Sequence, residues 1–395
     1  MKTAYAFAVL FLILAVSGFA QEPADSILSS YQRHFIRAGL GEKANVLSDA
    51  ATDDRAGDFI GPLYEFALRF ALDNAVLFRN DGDMENLVYI SLEGIRARNY
   101  ASAAETLWQA FRVFPDNGTK IEILNTLAVV DSGASLAERL NRLLREQNGF
   151  FDAGLAPNYP ILRALVSILG RSGDESSYET LFEALFLPYN GDLLLDIENA
   201  IASLGALRGD LGAFLARIIL SASFPEKEAA FRFGMRQDIS TEEKAGLAEA
   251  ALEAAGGHSG EAERELRLRA AGIIRELRWT RAFPLVVKYF YAAEQTYQSD
   301  PRDDGSRAEM FEAIQCLAAM ESADAAVLLG LRLNLANSRM EFAGDCDADL
   351  TVAVIDALGA LRYKASYDSL NYAVFLPYPE HVKNSAREAL KRLDW

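Results

Sequence analysis

The 395-residue chain is 51% hydrophobic, which excludes intrinsic disorder as a general description of it. Its 56 Asp and Glu residues outnumber 39 Lys and Arg residues, for a formal net charge of −17 at pH 7. A chain this acidic is repelled by nucleic-acid phosphates and anionic lipid head groups, so we expect no nucleic-acid partner.

The N-terminal segment has the pattern of a secretory signal peptide. Lys2 is followed by an apolar run from Ala4 to Val16, with small residues at Gly18 and Ala20. This pattern predicts a signal peptide at residues 1–20, cleaved after Ala20, because the apolar run is shorter than the roughly 20 residues of a membrane span. We therefore expect an exported protein, periplasmic or secreted, with no membrane span after cleavage. An uncleaved membrane anchor is the alternative.

Residues 21–58 are polar and lack a strong helical periodicity, so we expect a leader and a capping helix there. Helical patterns follow in residues 59–157. Longer loops are predicted at residues 148–160 and 299–306, both rich in Pro, Gly and Asp. A hinge at residues 148–160 is the alternative.

The strongest signal in the chain is an internal match between two distant segments. Residues 161–204 pair without a gap with residues 350–393, and Phe-Leu-Pro-Tyr occurs at the same place in both copies. The same register pairs Gly170 with Gly359 and Ala200 with Ala389. A match of this length indicates a repeated structural unit.

Each copy predicts a hairpin of two helices. Apolar residues recur at helical spacing in the first helix of each copy: Ile161, Leu165, Ile168 and Leu169, and Leu350, Val354, Leu358 and Leu361. A second helix is predicted at residues 178–187 and at residues 367–376, each ending where Pro188 or Pro377 cannot continue it. Such a hairpin has an apolar side that only a stacked neighbour buries.

These helices resemble the second helix of HEAT repeats. The best fits are Arg269-Ala270-Ala271 followed by Ile274 and Leu277, and Ala357-Leu358-Gly359 followed by Leu361. The resemblance covers residues 158–395 and implies an all-α fold, an α-solenoid of stacked hairpins in a superhelix. Residues 59–157 are interpreted as degenerate HEAT-like hairpins. The alternative is a tetratricopeptide unit, which is resembled by the spacing of Tyr100, Ala103, Leu107, Ala110 and Pro115. Both interpretations give an α-solenoid.

The sequence offers no evident catalytic or metal site. His34, His258 and His381 lie far apart, and no phosphate-binding loop or nucleophile elbow is present. Asp345, Asp347 and Asp349 alternate as in a calcium loop, but Leu350 and Asp356 stand where that loop needs Gly and Glu. We therefore predict no catalytic, cofactor-binding or metal-binding residues and no cofactor, and we expect Asp347 or Asp349 to cap a helix.

Three further features have structural interpretations. The arginines between Arg264 and Arg281 alternate with glutamates, which is typical of a solvated helix face. Phe186 and Phe375 are predicted to pack between repeats. The repeat register places Cys316 and Cys346 roughly 16 Å apart along stacked helices, too far for a disulfide, so two free thiols are expected, with Cys316 buried.

We therefore expect a non-catalytic extracytoplasmic scaffold that binds a protein or peptide partner through a solenoid surface. The acidic charge predicts a basic partner. The alternative is an enzyme with a pocket built on the helical array, either similar to the bilin lyases that share HEAT-type repeats or active on glycosides.

Overall fold

The computed structural model describes residues 24–55, 57–78, 81–131, 133–257 and 260–393. All regular structure in these ranges is helical: twenty α-helices and four short 3₁₀ turns, with no strand. The all-α prediction is therefore confirmed. The predicted signal peptide and His258 lie outside the described residues.

The chain divides into two compact units, residues 1–209 and residues 210–395. The first unit contains ten α-helices in its described part: α1 (Ala24–Arg37), α2 (Leu40–Thr52), α3 (Gly61–Asn74), α4 (Gly82–Ala97), α5 (Ala104–Val113), α6 (Asn117–Val130), α7 (Ala134–Asp152), α8 (Tyr159–Ser172), α9 (Ser176–Ala184) and α10 (Gly191–Arg208). Each of α2, α4, α6, α8 and α10 contacts the next member of that series, and sequential helices such as α3 and α4 also pack together.

The second unit also contains ten α-helices among its described residues: α11 (Leu211–Ser221), α12 (Phe224–Arg236), α13 (Thr241–Ala255), α14 (Glu261–Glu276), α15 (Phe283–Ser299), α16 (Asp304–Ala319), α17 (Ala323–Ala343), α18 (Ala348–Leu361), α19 (Tyr367–Phe375) and α20 (Glu380–Lys391). Here α14, α16, α18 and α20 form the corresponding series of contacts, and α17 packs against both α18 and α19.

The bounds of several helices repeat between the two units in the register of the sequence match. Helix α8 begins at residue 159 and ends at residue 172, and α18 begins at residue 348 and ends at residue 361. Helices α7 and α17 begin at residues 134 and 323, and α6 and α16 end at residues 130 and 319, in the same register. We refer below to two residues in this register, such as 161 and 350, as corresponding residues.

Small residues kept at corresponding positions have a steric reason. A Cβ added to Gly170 in α8 would lie 2.7 Å from the Cα of Ala200 in α10, and one added to Gly359 in α18 would lie 3.0 Å from the Cα of Ala389 in α20. Real Cβ atoms essentially never approach a neighbour as closely as at Gly170 and rarely as closely as at Gly359, so the crossing of both helix pairs favours glycine.

Buried hydrogen bonds repeat in the same way. The hydroxyl of Tyr189 donates to Oδ1 of Asn148 at 2.7 Å, and the hydroxyl of Tyr378 donates to Oδ1 of Asn337 at 3.1 Å. The two tyrosines are corresponding residues, and so are the two asparagines. These bonds connect the segment after α9 to α7, and the segment after α19 to α17.

The register differs earlier in the units. Helices α4 and α14 begin at residues 82 and 261 and end at residues 97 and 276, and α5 and α15 begin at residues 104 and 283. The two helices of each of these pairs are separated by fewer residues than the two helices of each later pair, such as α8 and α18. The second unit therefore has an insertion between the start of α15 and the end of α16. Most of it extends α15, which has 17 residues where α5 has 10.

The predicted apolar stripes are confirmed. The eight residues at helical spacing in α8 and α18 are all buried, and each fully buried Leu or Ile contributes on the order of 1.5–3 kcal/mol. Asp347 caps α18, because its carboxylate accepts a hydrogen bond from the backbone N–H of Leu350 at 3.0 Å.

Other local predictions were wrong. The predicted loop at residues 148–160 starts too early, because α7 continues through Asn148 to Asp152. Helix α9 ends at Ala184, since residues 185–187 form tighter bonds to the carbonyl three residues back before Pro188. Residues 21–58 include two helices, α1 and α2, where only one capping helix was expected.

The predicted solvated face of arginines is wrong at Arg267. This side chain is only 10% exposed. It donates to Oε1 of Glu309 at 2.7 Å and to the carbonyl of Ala255 at 2.8 Å. Because Glu309 is also buried, Arg267 is part of a paired internal contact between α14 and α16.

Candidate functional site

Six of the exposed large apolar side chains of the second unit lie on two neighbouring helices. We call this set the apolar face: Val327, Leu331, Leu335 and Phe342 of α17, with Tyr372 and Phe375 of α19. The exposed fractions of Phe342 and Phe375 are 86% and 76%. The expectation that Phe375 packs between repeats is therefore wrong, and Phe186 is also 41% exposed, although its ring makes an edge-to-face contact with that of Phe182.

Four residues of the apolar face lie along one side of α17. Residues 327, 331, 335 and 342 are four, four and seven positions apart, which places them on one side of a helix. The opposite side of α17 holds its core residues, such as Ala326, Leu329 and Leu333. The helix is thus apolar on two sides, and only one of them is covered within the unit.

The first unit shows what a solvated surface looks like at the same positions. Helix α7 and helix α9 carry charged residues where α17 and α19 carry Val327, Leu331, Leu335 and Tyr372: Glu138, Arg142, Glu146 and Glu183. Nη2 of Arg142 lies 2.9 Å from Oε1 of Glu138, an ion pair that belongs to a water-exposed helix surface. The frame of the helices therefore does not itself require apolar residues there.

Carboxylates surround the apolar face. Asp324 and Glu341 lie on exposed positions of α17 and Asp368 on α19, and Tyr372 is hydrogen bonded to Glu341. That hydrogen bond raises the pKa of the Tyr372 hydroxyl. Within α17, all of which the structure describes, Arg339 is the one exposed cation, so the surface around the face is predominantly negative.

A polar cleft of about 490 Å³ lies in the same unit. We call it the arginine cleft; its charged and hydroxylic lining residues are Tyr297, Arg307, Arg332, Arg339, Asp345, Asp347 and Thr351. The end of α15, the start of α16, one side of α17 and the start of α18 form its walls. Tyr297 belongs to the extension of α15 that α5 lacks.

One wall of the cleft is a fully paired network around Asp347. The hydroxyl of Tyr297 donates to Oδ2 of Asp347 at 2.8 Å, and the guanidinium of Arg307 donates to both oxygens of that carboxylate, with Nη2 to Oδ1 at 3.1 Å. Burial opposes ionisation of Asp347, but the bonds from Leu350, Tyr297 and Arg307 prevail and lower its pKa. Burial and the bond to Asp347 raise the pKa of Tyr297 to about 12.

The opposite wall carries two arginines: Arg332 is ion paired with Glu294, and Arg339 forms no ion pair with the described residues. The side chain of Arg332 is 8% exposed, and its Nε lies 3.0 Å from Oε1 of Glu294, with no hydrogen-bond geometry. Among the described residues, no group accepts a hydrogen bond from Arg332, and none pairs with Arg339. Burial lowers the pKa of Arg332, and the nearby Arg339 lowers it further, while Glu294 raises it.

The first unit does not carry these charges at the corresponding positions. The residues that correspond to Arg332 and Arg339 are Leu143 and Phe150. Glu294 and Tyr297 fall in the extension of α15, which has no counterpart. Helices α7 and α8 pack together without these groups, so Arg332, Arg339 and Glu294 are specific to the second unit.

The two thiols are free and unactivated. Cys316 is buried, and its burial raises its pKa to about 12. Cys346 lines the arginine cleft, and burial together with Asp345 and Asp347 raises its pKa as well. A reactive cysteine needs a lowered pKa, so neither environment is that of a nucleophile.

Within the described ranges, no group of three or more His, Cys, Asp and Glu side chains is arranged to hold a metal ion. Of the three alternating aspartates, Asp347 is the helix cap, Asp349 is exposed and pairs with Arg307 at 2.9 Å, and Asp345 is exposed at the cleft. No described helix is long and apolar enough to cross a membrane.

Sequence reasoning missed both the apolar face and the arginine cleft. For the face, a signal existed: aligning the two copies shows Val327, Leu331 and Leu335 against charged residues. For the cleft, the alignment shows Arg332 against Leu143, but its neighbour Glu294 lies in a segment without a counterpart. No protein-family model matches the sequence, and no curated protein is significantly similar to it.

Proposed function

We propose that this chain is a non-catalytic scaffold that binds a protein or peptide partner through the apolar face of its second unit. The observation that carries the proposal is the contrast between corresponding positions. Leu331 and Leu335 are exposed on α17, where Arg142 and Glu146 occupy α7. Exposed apolar stripes bounded by polar residues are typical of interaction sites.

The energetics favour a covered state of the face. Burial of apolar surface is favourable by roughly 25 cal/mol per Å². Phe342 and Phe375 are the largest and most exposed residues of the face, so their burial would give the largest gain. Charged residues in place of Leu331 and Leu335, such as Arg142 and Glu146 of the first unit, would instead favour contact of the face with water.

The partner we propose is a basic amphipathic helix. Its apolar side would cover Leu331 and Leu335, and its Lys and Arg residues would pair with Asp324, Glu341 and Asp368. The net charge of −17 adds long-range attraction for such a partner. Binding should therefore weaken as salt is raised.

The larger architecture we propose is a HEAT-like α-solenoid. It is supported by the series of contacts among alternate helices within each unit and by the helix bounds that repeat at corresponding residues. We also propose export, with cleavage after Ala20. Sequencing of the mature N-terminus tests export directly: a start at Gln21 supports it, and retention of Met1 or Lys2 contradicts it.

The non-catalytic character is supported by the chemistry of the one thiol in the cleft. Cys346 has a raised pKa beside two aspartates, so it is a poor nucleophile at neutral pH. The carboxylate of Asp347 already accepts hydrogen bonds from Tyr297 and Arg307, so it is not free to accept a hydrogen bond from a substrate.

The test compares affinity capture by three forms of the full chain. The L331R/L335E variant gives the face the charges of the first unit, and R142Q/E146Q is the matched control on α7. We expect the wild type and the control to retain one basic partner that the face variant loses, with elution at moderate salt. Loss of the partner from both variants, its retention by both, or capture of a copy of the same chain as the only partner contradicts the proposal.

A further inference from the structure

We propose that the arginine cleft binds a small zwitterionic ligand, with the ligand carboxylate held by Arg332 and Arg339. The class of ligand includes short peptides with free termini. This site is separate from the apolar face and does not depend on it.

The side chain of Arg332 is buried beside the cleft. A buried guanidinium carries five N–H donors, and leaving them without acceptors is costly. The side chain is 8% exposed and forms one ion pair, with Glu294, and no described group accepts its hydrogen bonds. These donors border an open cleft of about 490 Å³, where a ligand can reach them.

The fold does not need this arginine. The corresponding residue is Leu143, and α7 packs against α8 and α9 with it. An apolar residue at this position would give the more stable fold, because the attraction within a buried ion pair seldom offsets the free energy lost when its charges leave water. Arg332 and Glu294 are therefore a functional feature of the second unit.

The charges that line the cleft indicate the chemistry of the ligand. Arg332 and Arg339 are two helical turns apart on α17 and both line the cleft. A guanidinium binds a planar carboxylate through two parallel hydrogen bonds. Asp345 and Asp347 line the same cavity and repel a dianion such as phosphate, whereas Asp345 attracts the ammonium group of a zwitterion.

The size of the cleft agrees with this class. Small-molecule sites usually occupy a volume between roughly 300 and 1,000 Å³. A cavity of about 490 Å³ accommodates a short peptide and excludes a folded domain.

The probes are pools of random tripeptides in three forms: free at both ends, amidated at the C-terminus and acetylated at the N-terminus. Saturation-transfer NMR with the full chain reports binding, and calorimetry gives the affinity of the strongest binder. We expect the free pool to bind, the amidated form to bind about tenfold or more weakly, and the acetylated form to show a smaller loss. Inorganic phosphate should compete poorly.

The key variant is Arg339→Gln, because Arg339 is exposed and its loss leaves the core intact. It should weaken binding of the free peptide by about tenfold and leave binding of the amide unchanged. Arg112→Gln is the matched control, an exposed arginine of α5, and should change nothing. Equal binding of free and amidated peptides, no signal from the free pool, stronger binding of phosphate, or an Arg339→Gln variant with unchanged affinity would overturn the proposal.

Discussion

The pair formed by Arg332 and Glu294 allows a stability prediction with opposite signs for single and double substitutions. The two side chains are 8% and 17% exposed, so each has lost most of its hydration. Replacing Arg332 by Leu, the residue of the first unit, leaves Glu294 without its cation. Breaking a buried pair costs about 3–5 kcal/mol, and the residual exposure of Glu294 reduces this to roughly 2–4 kcal/mol.

Replacing both residues by leucine removes the uncompensated charge as well as the pair. Buried ion pairs exchanged for apolar residues are neutral or stabilising by about 1–4 kcal/mol. The E294L/R332L variant should therefore be at least as stable as the wild type, while losing the proposed peptide binding.

The assay combines urea unfolding with hydrogen exchange. Trp279 reports on the second unit by fluorescence, and amide protection of α17 isolates the local effect from the first unit. The matched substitution is Leu143→Ala on α7, which tests whether the two units unfold independently. A double variant as unstable as R332L alone would refute the reasoning, because Arg332 would then be required by the fold itself.

Three further predictions follow from individual contacts. Asp347→Asn keeps a helix-capping side chain but loses charge-assisted hydrogen bonds, so it should lower the free energy of unfolding by about 1–2 kcal/mol at pH 7. Since the folded pKa of Asp347 is lowered, the stabilisation by its charge is full above the unfolded pKa of about 3.9 and is lost as the pH falls through the folded pKa. Urea unfolding at several pH values measures this stabilisation. Gly359→Ala should destabilise by about 1–3 kcal/mol in the same assay despite its better helix propensity, because its Cβ would press on Ala389. Cys346 should react with an aromatic disulfide reagent in the native protein, slowly because of its raised pKa, whereas Cys316 should react only after unfolding.

Each of these predictions has an outcome that contradicts it. A stability loss in Asp347→Asn that persists unchanged at pH 2 would show that the charge is not its cause. Gly330→Ala is the control for the close approach, since its nearest neighbour would lie 3.8 Å away, and equal losses at both glycines would remove the steric explanation. Recovery of a peptide that links Cys316 to Cys346 would contradict the free thiols.

Periodicity and capping determined what was predictable from the sequence. The apolar stripe of α18 and its cap at Asp347 depend on residues within one helix, so local patterns were sufficient. The glycine at position 359 was visible as a repeated residue, but its reason required the packed helix α20.

Tertiary context determined what was missed. Phe375 follows the same pattern as a core residue, and only the packing of α19 reveals which side of the helix remains in water. The burial of Arg267 depends on Glu309, which is distant in the sequence. The proposed role of Arg332 likewise depends on its ion pair with Glu294 and on the shape of the cleft, and no local sequence pattern indicates either.

The central claim is that the second unit binds a partner through its apolar face, and site-specific photo-crosslinking tests it most directly. A photoreactive phenylalanine analogue is placed at residue 331 on α17 or at the corresponding residue 142 on α7, in the full chain expressed in its native cells. We predict one basic protein or peptide crosslinked from residue 331, lost at high salt, and none from residue 142. Equal products from both residues, or none from residue 331, would contradict the claim.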